Sequence, residues 1–242
     1  MSASTERGSH RPTVVLIPGL AADARMWGHQ LAGLGPLAPT AVATAHQPCG
    51  TITAMAQAVL EQFDGELLLC GASMGGMVAM EATRLAPSRV SGLALLGTVA
   101  HPETPEMRQL RSDAIVLFEQ GRSEEIIRAN VPLAFHPDHA SDPVLTGRYL
   151  SMVLDAGAET LIRHNRAVMA RPDARAHLGG ITCPTLVLCG EADQLTPPEH
   201  SRAITAAIPG ARLALVPGAG HMLTMEQPQR VNTLLREWMA AL

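Results

Sequence analysis

A serine flanked by glycines lies between a short apolar run and a stretch compatible with a helix. Residues 71–75 read GASMG, after the apolar run LLLC of residues 67–70 and before residues 76–85. This G-x-S-x-G pattern between a buried strand and a helix is typical of a nucleophile elbow, a sharp turn that exposes the serine oxygen. Glycines at both flanks remove Cβ atoms that would collide in such a turn. We predict that Ser73 is a catalytic nucleophile; the alternative is a glycine-rich turn that contains a serine by chance.

A serine hydroxyl needs a base to take its proton, so an acid and a histidine are sought downstream. The β-branched run of residues 184–189 predicts a buried strand, and Asp193 lies just past its carboxyl end, where open α/β sheets place functional side chains. A further predicted strand, residues 212–216, is followed by a Pro-Gly-Ala-Gly loop and then by His221. The order Ser73, Asp193, His221 is the one that an elbow architecture uses.

Other candidates for the acid and the base are weaker. Glu191 lies closer to its strand end than Asp193, but we expect it to turn toward solvent. The loop after the predicted strand 92–96 reads GTVAH and has no carboxylate. Among the ten histidines, only His221 follows the final strand.

Composition limits the class of protein. The 242 residues are enough for one large α/β domain or two small ones, and a hydrophobic content of 47% supplies a sizeable core. A net charge of −4 and an aromatic content of 2% argue against nucleic-acid binding. No apolar segment approaches the ~18 residues of a membrane span. We expect a small-molecule partner, no membrane partner, and a monomer or homodimer.

The cysteines and the N-terminus indicate the compartment. The four cysteines form no close C-x-x-C pair, and three of them lie in or beside predicted buried strands. Reduced core thiols in a cytoplasmic protein are therefore expected. Residues 1–11 are polar and lack the apolar stretch of a secretory signal, so we predict that they are disordered.

Strand and helix patterns alternate over much of the chain. The predicted strands are residues 13–17, 40–44, 66–70, 92–96, 185–189 and 212–216. The predicted helices between or after them are residues 26–34, 53–63, 77–86, 199–208 and 229–241. This alternation predicts an α/β fold with a mostly parallel, doubly wound sheet.

The alternation breaks over residues 101–180, which contain no convincing strand. Helical patterns cover residues 105–120, 123–129, 143–156 and 159–170. A segment of this length is too long for an ordinary loop. We predict a helical cap (lid) of residues 101–180 inserted into a core made of residues 12–100 and 181–242, over the carboxyl edge of the sheet. The alternative is a structural appendage.

Three further groups of polar residues are expected to be structural. Residues 136–139 (HPDH) have ligand-type side chains, but Pro137 breaks the local helix, and a solvated loop is a better explanation than a metal site. We expect Asp23 to cap the helix that follows it. The basic residues of the predicted cap are expected to form a solvated helix face, with the binding of a substrate carboxylate as the alternative; they are Arg163, His164, Arg166 and Arg171.

On these motifs the chain resembles α/β-hydrolases over nearly its whole length, from about Pro12 onward. It is similar to the small bacterial branch that contains 3-oxoadipate enol-lactonases and pimeloyl-carrier-protein methyl ester esterases. The matching segments are VVLIPGL at 14–20, GASMGG at 71–76, CPTLV at 183–187, GEAD at 190–193 and GAGH at 218–221. One departure is Pro18-Gly19, where most relatives have His-Gly.

The resemblance implies a serine hydrolase that cleaves a carboxylic ester, thioester or lactone with Ser73, Asp193 and His221. It also implies that the backbone amides of Leu20 and Met74 form the oxyanion hole, and that no cofactor or metal is needed. Three alternatives use the same fold: a cofactor-free perhydrolase or haloperoxidase-like enzyme, a hydroxynitrile lyase-like enzyme, and a slow-turnover ligand receptor.

Overall fold

The computed structural model describes residues 11–242, and its centre is one sheet of six parallel strands in the order β2-β1-β3-β4-β5-β6. The strands are β1 Thr13–Ile17, β2 Thr40–Val42, β3 Leu67–Ala72, β4 Val90–Leu96, β5 Thr185–Gly190 and β6 Arg212–Val216. Every residue of β3 and β5 is buried, as expected for strands covered on both faces. The predicted fold class and all six predicted strands are confirmed. The predicted disorder of residues 1–11 falls, apart from Arg11, outside the described residues.

Successive strand residues enter two different hydrophobic cores. Val14 and Leu68 belong to one core, while Val15 and Leu69 belong to the other. Side chains of a strand alternate between the two faces of its sheet, so each core covers one face. The helices outside residues 101–180 are α1 Gly28–Leu34, α2 Ile52–Gln62, α3 Met74–Leu85, α10 Pro198–Ala207, α11 Leu223–Glu226 and α12 Pro228–Met239.

Strand register aligns the carboxyl ends at one edge of the sheet. Ile17 pairs with Gly71 between β1 and β3, Ala72 pairs with Leu96 between β3 and β4, and Gly190 pairs with Val216 between β5 and β6. The loops after β1, β3, β4, β5 and β6 therefore lie along the same edge, which is where open α/β sheets bind their ligands.

Six helices and no strand lie between β4 and β5, in what we call the helical segment (residues 101–180). They are α4 Pro105–Glu119, α5 Ser123–Ala134, α6 Pro137–Ala140, α7 Pro143–Asp155, α8 Gly157–Met169 and α9 Arg175–Leu178. Helix α5 continues through Pro132, beyond the predicted end at residue 129. A proline inside a helix costs about 3 kcal/mol, and burial of Val131 and Ala134 on this turn offsets part of that cost.

Two properties of the whole described chain bear on its environment. No helix within residues 11–242 is long and apolar enough to cross a membrane. All four cysteines, Cys49, Cys70, Cys183 and Cys189, are free thiols.

Candidate active site

Ser73 occupies a strained turn between β3 and α3. Its backbone has φ +54° and ψ −120°, a region that residues with a side chain rarely adopt and that recurs at functional sites. A Cβ atom on Gly71 would collide with the Gly75 carbonyl, and one on Gly75 would collide with the Ile17 carbonyl. The two flanking glycines are therefore required by backbone contacts within the turn and with the end of β1.

The end of β4 holds this turn in place. The Ser73 N–H donates to the Leu96 carbonyl at 2.9 Å, and the Thr98 hydroxyl donates to the Ser73 carbonyl at 2.7 Å. A Cβ on Gly76 would lie 2.7 Å from Thr98, so a third glycine permits the approach of Thr98. Helix α3 thus begins directly after the serine, three residues earlier than the sequence pattern predicted.

The structure brings Ser73, His221 and Asp193 into one hydrogen-bonded chain. His221 Nε2 lies 3.0 Å from Ser73 Oγ, and His221 Nδ1 lies 2.9 Å from Asp193 Oδ2. A buried carboxylate only accepts hydrogen bonds, so the ring proton is assigned to Nδ1. Nε2 then carries the lone pair toward the serine hydroxyl, the tautomer that a general base requires.

Backbone and side-chain donors fix the carboxylate of Asp193, whose side chain is fully buried. Oδ1 accepts the N–H groups of Leu195 at 3.0 Å and Thr196 at 2.8 Å, and Oδ2 accepts the Thr196 hydroxyl at 2.8 Å. Burial alone would raise the pKa of Asp193, but His221 and the bonds from Thr196 outweigh it and lower the pKa. Thr196 was missed from sequence, although a threonine three residues after an acid at a strand end is a usable signal.

The histidine responds in the opposite direction. Burial alone would lower the pKa of His221, but the charge of Asp193 and its hydrogen bond raise it above the ordinary value. Gly97, after β4, has φ +49°, and a Cβ there would lie 3.1 Å from Asp193 Oδ2 and 3.4 Å from His221 Nδ1. The loop after β4, where no carboxylate was found in sequence, therefore passes directly beside this pair.

Glu226 is a buried carboxylate that sequence reasoning missed. Its Oε1 accepts the Gly220 N–H at 2.9 Å, and its Oε2 accepts the His136 N–H at 2.7 Å and lies 3.1 Å from His139 Nδ1. It joins the loop that carries His221 to the junction of α5 and α6. The prediction of a solvated loop at residues 136–139 is wrong, because three of these residues lie in α6 and two of the segment's groups contact this carboxylate.

Glu226→Gln is expected to destabilise the protein by about 1–3 kcal/mol, the cost of leaving one buried donor without an acceptor. A glutamine presents an NH2 group to either the Gly220 or the His136 N–H, and both are donors. Urea unfolding with unchanged m-values would measure the loss. The control is Glu119→Gln, which breaks only an exposed pair with Arg166 and should cost less than about 1 kcal/mol. Equal losses for the two variants would contradict the role of Glu226.

One predicted oxyanion donor directly follows Ser73 in the chain, and the other lies in the loop after β1. Met74 begins α3 directly after Ser73, and Leu20 follows Gly19, whose added Cβ would lie only 3.3 Å from the Ser73 Cβ. Within residues 11–242, neither the Leu20 nor the Met74 amide donates a hydrogen bond to another group. Neither amide therefore has an acceptor among the described residues.

Two of the basic residues that were expected to face solvent are buried. The solvated face predicted for the basic residues of the helical segment is wrong for two of them, since His164 is fully buried and Arg171 is buried against Glu103 at 2.9 Å. Arg166 is exposed as expected.

Two other expectations on polar residues agree with the structure. Asp23 accepts the Arg25 N–H at 2.8 Å and caps the turn Ala24–Trp27. Glu191 is exposed. No group of three or more His, Cys, Asp or Glu within residues 11–242 is arranged to hold a metal ion.

A profile of the alpha/beta hydrolase family matches residues 14–234, and the chain belongs to this family. RutD of Klebsiella pneumoniae, to which a carbamate hydrolase activity is ascribed, is 27% identical over 96% of this chain and 92% of its own. A thermophilic esterase from Thermogutta terrifontis is similar with a TM-score of 0.87 and 28% identity, over 96% of this chain and 90% of its own. The enol-lactonase from Burkholderia xenovorans has a TM-score of 0.87 and 25% identity, over 97% and 94%. These relatives indicate a hydrolase on the α/β fold.

Proposed function

We propose that this protein is a serine hydrolase that cleaves a carboxylic ester, thioester or lactone through an acyl-enzyme. The observation that carries the proposal is the hydrogen-bonded chain from Ser73 Oγ through His221 to Asp193, with distances of 3.0 and 2.9 Å. A nucleophile in contact with a base, and a base oriented by a buried acid, is the arrangement that acyl transfer needs.

Each of these residues then has a defined role in the reaction. Ser73 Oγ attacks the carbonyl carbon and gives its proton to His221 Nε2, while Asp193 stabilises the imidazolium. The Leu20 and Met74 amides hold the oxyanion. His221 returns the proton to the leaving alcohol or thiol, which leaves the acyl group on Ser73. Water attacks this ester by the same steps, with His221 as base, and releases the carboxylic acid and free Ser73.

We further propose that the helical segment is a lid, residues 101–180, over a core of residues 12–100 and 181–242. The support for this proposal is that the helical segment contacts the loops that follow β1 and β6. A Cβ on Gly220, next to His221, would lie 2.6 Å from the His136 nitrogen, and Asp155 of α7 bonds Arg25 at 2.6 Å. Such a lid would separate the site from bulk solvent while the substrate binds, and it would shape the substrate pocket.

The substrate class rests on the relatives as well as on the site. The Thermogutta esterase and the Burkholderia enol-lactonase support a small ester or lactone as substrate. The activity ascribed to RutD adds carbamates as a class to be tested. We also propose that the protein is a soluble cytoplasmic enzyme, that it acts on small molecules, and that it is a monomer or homodimer.

The direct test is active-site labelling combined with a substrate panel. The wild-type protein is treated with a fluorophosphonate, and the labelled peptide is identified by mass spectrometry. Turnover is measured on short and medium acyl esters, a thioester, a lactone and a carbamate. We expect one label per chain, on Ser73, and turnover of at least one ester or lactone. A protein that is neither labelled nor active would refute the proposal and favour a ligand receptor.

The rate constant kcat/KM is expected to fall on the acid side with an apparent pKa above about 6.5, the ordinary histidine value. The base must be neutral His221, and its pKa is raised by Asp193 against the effect of burial. Activity is therefore lost as the pH falls through this raised value. A profile on a neutral ester between about pH 5 and 9 checks this. A flat profile, or a midpoint well below 6.5, would contradict a base paired with Asp193.

A further inference from the structure

The loop that carries Leu20 contains a strained alanine. The Ala22 N–H donates to the Gly19 carbonyl at 3.2 Å, which closes a four-residue turn with Leu20 and Ala21 at its centre. Ala21 has φ +50°, a value that glycine adopts readily and alanine does not. The turn that presents the Leu20 amide is therefore one that this sequence does not favour locally, and outside contacts must hold it.

One such contact comes from α8 of the helical segment. The Ala21 N–H donates to His164 Nδ1 at 3.1 Å, and His164 Nε2 lies 2.8 Å from the Gln47 carbonyl. The backbone N–H is always a donor and the carbonyl always an acceptor, so Nδ1 is the acceptor and Nε2 carries the proton. His164 is fully buried, and both of its ring nitrogens are occupied by backbone groups.

The surroundings keep this imidazole uncharged and in place. Burial lowers the pKa of His164, against the opposing effect of the bond to the Gln47 carbonyl. The Gln47 side chain donates to the Ala22 carbonyl at 2.8 Å. His164 and Gln47 therefore bind successive residues of the turn, Ala21 through its N–H and Ala22 through its carbonyl.

We propose that His164 is a positioning residue that sets the Leu20 amide in the oxyanion hole by holding the next amide, that of Ala21. This inference rests on the proposed function. Under this proposal the helical segment does more than cover the site. The hydrogen bond between the Ala21 N–H and His164 of α8 fixes the position of the Leu20 amide, which stabilises the transition state. The loss of that bond should weaken transition-state binding and leave ground-state binding of the substrate nearly unchanged.

Two substitutions separate the two bonds of the ring. In the histidine rotamer, an asparagine can place its amide oxygen near the Nδ1 position, and a glutamine can place its amide nitrogen near the Nε2 position. His164→Asn keeps an acceptor for Ala21, whereas His164→Gln keeps only the donor to Gln47. We expect His164→Gln to lower kcat by about 10-fold or more with KM within about 2-fold, less than the ~10²–10³ of a lost oxyanion donor. We expect His164→Asn to keep kcat within about 3-fold.

The matched control is Arg163→Gln, on the neighbouring residue of α8. Arg163 also donates to the Gln47 carbonyl, at 3.3 Å, but it makes no hydrogen bond to the turn, so kcat should remain at the wild-type value. Thermal unfolding identifies any variant that does not fold. Equal losses of kcat for His164→Asn and His164→Gln, or losses that appear in KM alone, would overturn the proposal.

A measurement on the wild-type protein keeps the test independent of folding of the variants. Nitrogen-15 NMR of the histidine rings, with the His164 ring assigned through its own backbone resonances in the wild-type protein, should show a neutral ring protonated on Nε2 at pH 7. A ring protonated on Nδ1 would overturn the proposal. Failure of the proposed function is distinguishable, because then the wild type would turn over no substrate in the panel. That result would refute both proposals.

Discussion

Ser73→Ala is expected to abolish fluorophosphonate labelling and to lower kcat by at least about 10⁴-fold, up to the ~10⁶-fold seen when a triad nucleophile is removed. No other hydroxyl in the described chain is bonded to His221 Nε2. Residual activity would come from direct attack by water on a bound substrate whose oxyanion the donors still stabilise. Alanine has the same backbone preference as serine at φ +54°, and the only hydrogen bond lost is the one to His221. Unfolding stability should therefore change by less than about 1 kcal/mol.

Ser91→Ala is the control for this change. Ser91 lies near the amino end of β4, where its hydroxyl donates to the Leu67 carbonyl at 3.3 Å, at the end of the sheet away from the site. Its replacement should leave labelling and kcat at wild-type values. Full labelling of Ser73→Ala would place the nucleophile at another residue and remove the basis of the proposed mechanism.

Asp193→Asn is expected to lower kcat on the order of 10⁴-fold with little change in KM. The two N–H donors to Oδ1 would hold the asparagine oxygen, so its NH2 group would stand at the Oδ2 position and face His221 Nδ1. An NH2 group donates, which favours the tautomer with the proton on Nε2. The imidazole would then present a proton to Ser73 in place of a lone pair. Kinetics on a saturable ester, with thermal unfolding as a check on folding, measures this loss.

Glu191→Gln is the control for the assignment of the acid. Glu191 is exposed and makes no side-chain hydrogen bond in the described chain, so its replacement should change kcat by less than about 3-fold, as expected of surface substitutions. A damaging Glu191→Gln together with a harmless Asp193→Asn would reverse the assignment, although the nucleophile and the fold could stand.

The strands were predictable because their signal is local. Runs such as residues 67–70 and 184–189 are apolar over the length of a strand, and a sheet covered on both faces requires this. The structure changed the boundaries by a few residues. Edge strand β2 ends at Val42 and not at residue 44, and α3 begins at Met74 because glycines that resemble a loop in sequence lie inside the first turn of the helix.

Buried polar residues were not predictable in the same way. His164 and Arg171 resemble surface residues by type, and Glu226 follows no motif. Burial of such groups depends on a partner that arrives from a distant part of the chain. For Glu226 the distant partner is the His136 N–H, 90 positions away, and the nearer one is the Gly220 N–H, six positions away. A local sequence pattern does not predict such a long-range contact.

The sequence by itself determined the order of the elements, the strained turn around Ser73, and the positions of Asp193 and His221 after later strands. Each of these depends on residues that are neighbours in the chain, through apolar runs and glycines that permit a turn. Only the tertiary structure decided that His221 reaches Ser73 across 148 positions at 3.0 Å. It alone decided that His164 holds the Ala21 amide across 143 positions. Hydrogen bonds need partners placed to within a few tenths of an ångström, and packing of the whole sheet and its helices sets that placement.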